Sequence, residues 1–134
     1  MTALAPTFRK QERMVSKLLI EALFNGSNSH SVSAFPLKAV YQTMERREDG
    51  VPAQILISVP KKRFKHAVDR NRVKRQLREA YRRHKQLIWD SLPVEKQMLV
   101  GFIWLSDKHY LTKEVEQRVV RILQNIARGG KAKK

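Results

Sequence analysis

Residues 61–85, KKRFKHAVDRNRVKRQLREAYRRHK, join dense positive charge to helical periodicity, and this pairing constrains the fold more than any other stretch. The segment holds twelve Lys and Arg against two acids, Asp69 and Glu79. At about 100° per residue, Val73, Leu77, Ala80, Tyr81, His84, Leu87 and Ile88 fall within one arc of roughly 120°. That side of the helix packs on a core. Asn71, Lys74, Arg75, Arg78, Arg82 and Lys85 occupy the adjoining arc, a ridge of cations with one amide at its start. A face that only meets water mixes charge signs to limit self-repulsion. This ridge does not, so a polyanion is the expected partner.

The whole chain carries the same bias. Its 134 residues suit one domain, 1–134, with a modest core, and 42% hydrophobic content rules out wholesale disorder. A net charge of +16 destabilises the compact state by self-repulsion, which a bound polyanion removes. Nucleic acid is the first candidate and an anionic membrane surface the second. No apolar run approaches the roughly 20 residues that span a bilayer. Residues 1–13 lack the pattern of a signal peptide, because their charges follow the short apolar part. Cysteine is absent, so there is neither a disulfide frame nor a thiolate metal site. These features fit a cytoplasmic protein.

Along the chain, residues 1–15 read as a mobile basic arm and 128–134 as a basic tail. Ser16 is placed to cap a helix over 17–25, with Leu19, Ile20, Leu23 and Phe24 as its apolar face. Residues 26–33 read as a loop. Residues 35–43 read as a strand, with Pro36 at an edge or a late start. The polar segment 44–53 reads as a hairpin connection turning at Asp49-Gly50. Residues 54–59 and 97–105 read as strands buried on both faces. The basic helix runs to about Trp89. A last helix follows, capped by Thr112, with Val115, Val119, Ile122, Leu123 and Ile126 as its stripe and Gly129-Gly130 at its end. The order α-β-β-α-β-α with three or four strands predicts a small α+β sandwich.

No self-contained active site is legible. The acids are scattered, and Glu114 and Glu116 point to different sides of the last helix. The histidines (His30, His66, His84, His109) lack ligand spacing. His84 lies on the apolar side of the basic helix and reads as a packed core histidine. Catalytic residues and protein-held metals are therefore not expected. Binding is. Arginine donates paired hydrogen bonds to phosphate, and Asn71 can reach a base edge or a ribose. Phe24, with Phe35, Phe64 and Tyr41 behind it, could stack on single-stranded bases.

The run Ser58 to Arg82, SVPKKRFKHAVDRNRVKRQLREAYR, resembles the signature of the bacterial ribonuclease P protein subunit. The matching positions are Lys61, Lys62, Ala67, Val68, Arg70, Asn71, Arg72, Val73, Lys74, Arg75, Arg78 and Glu79. Arg13-Met14 and Leu23-Phe24 also fall in that family's order. Two departures stand out. Arg63-Phe64-Lys65-His66 is bulkier than the small or glycine-containing segment common there, and Ile20 replaces a frequent Phe.

The resemblance implies a left-handed β-α-β crossover, a catalytic RNA subunit as partner and precursor tRNA as substrate. It implies removal of the 5′ leader, with Mg2+ held mainly by the RNA. It assigns RNA binding to Lys61, Lys62, Lys65, His66, Arg70, Asn71, Arg72, Lys74, Arg75, Arg78 and Arg82. It assigns the leader cleft to Ile20, Phe24, Val40 and Ser58. No obligate protein partner and no membrane are implied. The alternatives are a ribosomal or other structural RNA-binding protein without a role in cleavage, and a DNA binder using the basic helix. The second lacks both a following zipper and helix-turn-helix spacing.

Overall fold

The computed structural model describes residues 12–13, 17–25, 29–46 and 51–128. Its elements are α1 (Lys17–Asn25), β1 (His30–Ala34), β2 (Leu37–Glu45), β3 (Ala53–Ser58), α2 (Ala67–His84), α3 (Gln86–Trp89), β4 (Lys96–Trp104) and α4 (Thr112–Ala127). The strands form one sheet in the order β1-β2-β4-β3. β4 runs antiparallel to β2 and parallel to β3, and α2 and α3 make the crossover between the parallel pair.

β4 is central because its sequence, KQMLVGFIW, is apolar on both faces. Met98, Val100, Phe102 and Trp104 face one way. They join Leu37, Ala39 and Tyr41 of β2 and Ala53 and Ile55 of β3. α2 covers this face with Val73, Leu77, Ala80 and Tyr81. α4 covers it with Val115, Val119, Ile122, Leu123 and Ile126. Leu99 faces the other way and meets Leu23 of α1 in a smaller cluster bordered by Ile20, Val40, Met44 and Leu56. Complete burial of Leu23 stabilises the docking of this short helix by about 2 kcal/mol.

Several elements depart from the sequence expectation. Residues 30–34 are a strand and not loop, because an edge strand over α4 needs only Val32 and Ala34 on its core side. The two apolar residues are too few to set a periodic signal. Pro36 delays β2 to Leu37, with a cis Phe35-Pro36 bond in the turn. β2 and β3 do not form a hairpin, since the more apolar β4 lies between them. Asp49-Gly50, Ser16, the side chain of Leu19 and Gly129-Gly130 lie outside the described residues. β3 is half-covered, with only Ala53 and Ile55 fully buried, and so is not enclosed on both faces. Thr112 is the first residue of α4, and its Oγ1 accepts from Gln76 Nε2 at 3.1 Å. The exposed N–H at the start of α4, on Leu111, is instead taken by Glu114 Oε1 at 3.0 Å.

Two residues of the basic helix segment change role. His84 is partly exposed and bonds Glu116 Oε2 at 2.6 Å, because α4 brings a carboxylate to the end of α2. Lys85 leaves the cationic ridge and is buried. Its Nζ donates to Glu12 Oε1 and Oε2 at 3.0 and 3.1 Å and lies 4.4 Å from the centre of the Trp89 ring. Trp89 Nε1 in turn donates to the Tyr81 hydroxyl at 2.9 Å. Burial pushes the Tyr81 hydroxyl pKa up, so it stays a neutral partner there. Arg13, within the stretch read as a basic arm, bridges Ile55 in parallel and so places residues 12–13 at the β3 edge.

The Glu12 side chain is wholly inaccessible, and a carboxylate so placed is tolerated only when paired. Lys85→Ala is therefore expected to cost about 3–5 kcal/mol. Arg78→Ala on the exposed ridge should stay within about 0.5 kcal/mol. Urea-denaturation midpoints of the two variants check the contrast.

Candidate nucleic-acid interface

α2 presents its charge as the amphipathic pattern requires. Asn71, Arg72, Arg75 and Arg78 are exposed, while Lys74 and Arg82 are half-covered. Residues 71, 75, 78 and 82 are spaced to form one line along the helix. Both acids of the basic segment are engaged within the protein. Glu79 accepts from Arg82, which holds its carboxyl below the usual carboxylate range. Asp69 Oδ1 lies 3.0 Å from His109 Nε2. The ridge thus presents cations with their nearest anions already paired, although Arg82 shares its charge with Glu79.

The loop before α2 adds a second set. Lys61, Lys62, Lys65 and His66 are exposed. Arg70 points back at this loop, and its Nη1 donates to the carbonyls of Phe64 and Lys65 at 2.8 and 3.0 Å. Of the residues assigned to RNA, Arg70 is the one whose guanidinium is committed to the protein's own backbone.

The opposite face of the sheet carries the other assigned residues. Strand register puts Val40, Gly101 and Leu56 in one row, and Lys38, Ile103 and Ser58 in the next. The Phe24 ring, 39% exposed, lies over Gly101, where an added Cβ would come within 2.8 Å of Phe24 Cζ. Ile20, Phe24 and Val40 therefore gather around α1. Ser58 sits two strands away from Val40, about 10 Å across the sheet. Gly101, Lys38 and Ile103 belong to this face too. A lone glycine inside an apolar strand is the signal for Gly101, since it marks close approach of another group. Two of the aromatics read as stacking candidates are unavailable. Tyr41 is buried on the α2 side of the sheet, and Phe64 is buried against His109. Phe35 is 63% exposed in the β1–β2 turn. Among the described residues, no three His, Asp or Glu side chains gather as a metal site, and no helix is long and apolar enough to cross a membrane.

A four-stranded α+β protein is thus defined, with a cationic helix on one side of its sheet and the partly exposed Phe24 ring of α1 on the other. The model of the family described as Ribonuclease P matches residues 8–126. The chain belongs to that family. A protein of Porphyromonas gingivalis named Ribonuclease P protein component is 37% identical over 126 residues, covering 91% of this chain and 89% of that protein. One of the same name from Chlorobium phaeobacteroides is 42% identical over 130 residues, covering 90% and 88%. The fold is similar to that of the Staphylococcus aureus RNase P protein, with TM-score 0.63, 21% identity, and 86% and 94% of the two chains covered. It is also similar to the Thermotoga maritima protein, with TM-score 0.62, 20% identity, and 85% and 96% covered.

One pH response follows from the edge of this surface. The hydrogen bond from His84, then the charge of Arg83, hold the Glu116 carboxyl below its ordinary value. A depressed carboxylate pKa stabilises the fold above the unfolded value, near about 4.3, and this contribution disappears as pH falls through the folded value. Glu116→Gln should be less stable than the parent at about pH 6, by no more than about 1 kcal/mol at so open a site. The gap should close as pH falls through the folded value. Thermal melts across an acid pH series starting at about pH 6 test this.

Proposed function

We propose that this chain is the protein subunit of ribonuclease P, acting through the two surfaces of its sheet. Asn71, Arg72, Lys74, Arg75, Arg78 and Arg82 bind the catalytic RNA, with Lys61, Lys62, Lys65 and His66 extending the contact. Arg70 contributes chiefly by shaping the loop. Ile20, Phe24, Val40 and Ser58 line the groove that takes the single-stranded 5′ leader of precursor tRNA. The observation that carries this reading is the line of cations on α2 in a chain of the ribonuclease P family.

In this reading, each arginine on a phosphate releases condensed counterions, and the gain offsets the repulsion between two RNAs brought together. The exposed Phe24 ring gives a base a surface to stack on, while the sheet row of Lys38 and Ser58 offers a cation and a hydroxyl to the backbone. The protein supplies no acid, base or nucleophile to the cleavage. Mg2+, which the family resemblance places mainly on the RNA, would supply the Lewis-acid chemistry of the cleavage when bound.

Reconstitution with a bacterial ribonuclease P RNA tests the ridge. Arg72→Ala with Arg75→Ala should lower cleavage of precursor tRNA at low magnesium and reduce the salt slope of RNA binding by about two. Unchanged cleavage would remove the helix from the interface. Binding without any stimulation of cleavage would favour a purely structural RNA-binding role.

The groove is tested separately. Phe24→Ala should cost about 1–3 kcal/mol of affinity for leader-bearing precursor, the scale of one stacked base, and nothing for mature tRNA. Gly101→Ala, which displaces the same ring, should move affinity in the same direction. Equal losses on both substrates would place the leader elsewhere.

A further inference from the structure

The segment Arg63-Phe64-Lys65-His66 is where this chain departs most from a small, flexible connection, and the structure shows how the bulk is used. The Arg63 N–H bonds the Pro60 carbonyl at 3.0 Å, so the chain turns at once after β3. Phe64 then drops into the main core, 8% exposed. Its ring stacks on the His109 imidazole, with centroids 4.6 Å apart and planes 15° apart. His109 comes from the connection between β4 and α4, far away in sequence. Its Nε2 reaches Asp69 Oδ1 in the first turn of α2. A carboxylate only accepts, so Nε2 carries the proton of that bond. Arg70 closes the arrangement by holding the Phe64 and Lys65 carbonyls.

His109 is the one member of this cluster that belongs neither to the loop nor to α2. It touches both at once, with a ring face on Phe64 and a nitrogen on Asp69. His66, at the N-cap of α2, makes no side-chain capping bond, so the entry of the helix is held from elsewhere. Lys61, Lys62, Lys65 and His66 all point outward from the backbone that this cluster fixes. A flexible basic loop would have to be ordered on each binding event, at a cost in both side-chain and backbone entropy.

We propose that His109 is a positioning residue for RNA binding: through Phe64 and Asp69 it presets the loop that carries Lys61, Lys62, Lys65 and His66 to the RNA. It acts without touching RNA. This rests on the reading of that loop as an RNA contact, and the experiment separates the two. The full-length protein is assayed against a bacterial ribonuclease P RNA, with affinity measured over a range of salt. His109→Ala, His109→Phe and His109→Gln are each made alone and together with the double change Lys61→Ala, Lys62→Ala. Melting temperature records whether each variant is folded.

His109→Ala should weaken binding by about three- to tenfold and flatten the salt dependence. His109→Phe, which keeps the stack, should recover part of the loss. In the Lys61→Ala, Lys62→Ala background, the His109 changes should have little further effect, because the charges they position are gone. Equal losses in both backgrounds would mean that His109 only supports the fold, and would overturn the proposal. So would unchanged affinity and salt slope in all three single variants. If the lysine pair alone leaves binding intact, the loop is not an RNA contact and both readings fall. Should the alanine variant not fold, the phenylalanine and glutamine variants carry the same comparison.

Discussion

Everything in this fold depends on β4 being covered on both faces. A strand that is apolar on one side only would sit at an edge or support one layer. β4 supports two: α2 and α4 on one face, α1 on the other. The same condition puts β4 between β2 and β3 and makes β3 its parallel neighbour. A parallel neighbour needs a crossover, and the crossover is the cationic helix. The hydrophobic demand of one strand therefore decides where the charge goes. It also separates the two surfaces, with the ridge of α2 on one side of the sheet and the face that carries α1 on the other. The loop after β3 is the covalent link between them.

Charge on this scale has to be arranged as well as placed. Lys85 shows the limit. It has the right spacing for the ridge, yet it is turned inward against Glu12 and Trp89. That pair gains little over two apolar groups in net terms, since desolvation of both ions offsets most of their attraction. What it does provide is a specific anchor, fixing residues 12–13 near the β3 edge from which α1 is then reached. Asp69 and Glu79 are used in a similar way. Each is paired within the protein, so neither opposes a phosphate brought to the ridge.

The legible and illegible parts of the molecule divide along physical lines. Helix periodicity located α2 and the stripe of α4 because each buries a continuous face, and Val115, Val119, Ile122, Leu123 and Ile126 are all inside. The exposed ridge residues were equally readable, because being cationic and off the apolar arc is a local property. β1 was not readable. Its register comes from β2 and its cover from α4, and only Val32 and Ala34 record this in the sequence. Strand order was not readable either, since local pattern showed three apolar strands without ranking them. Lys85 and His84 were misplaced for a shared reason. Each sits where a partner from another element, Glu12 or Glu116, outweighs the position on the helical wheel. The groove residues fall between these cases. Ile20 and Phe24 follow from helix spacing, but their alignment with Val40 over Gly101 needs the register of three strands.

The division between sheet faces also bears on how, in the proposed reading, this chain would serve a cleavage reaction carried out by an RNA. Phosphodiester cleavage needs charge neutralised where it develops, and it needs the scissile bond held still. A protein contributes to the second without touching the reacting atoms if it binds both the RNA that does the chemistry and the strand leading to the bond. Two binding surfaces on one rigid body convert the second association into an intramolecular one. In the proposed reading, rigidity is therefore the property this chain would supply. The covered faces of β4, the buried Glu12–Lys85 pair and the stacked Phe64–His109 rings all work to that end. Each removes freedom from an element that would otherwise have to be ordered on binding.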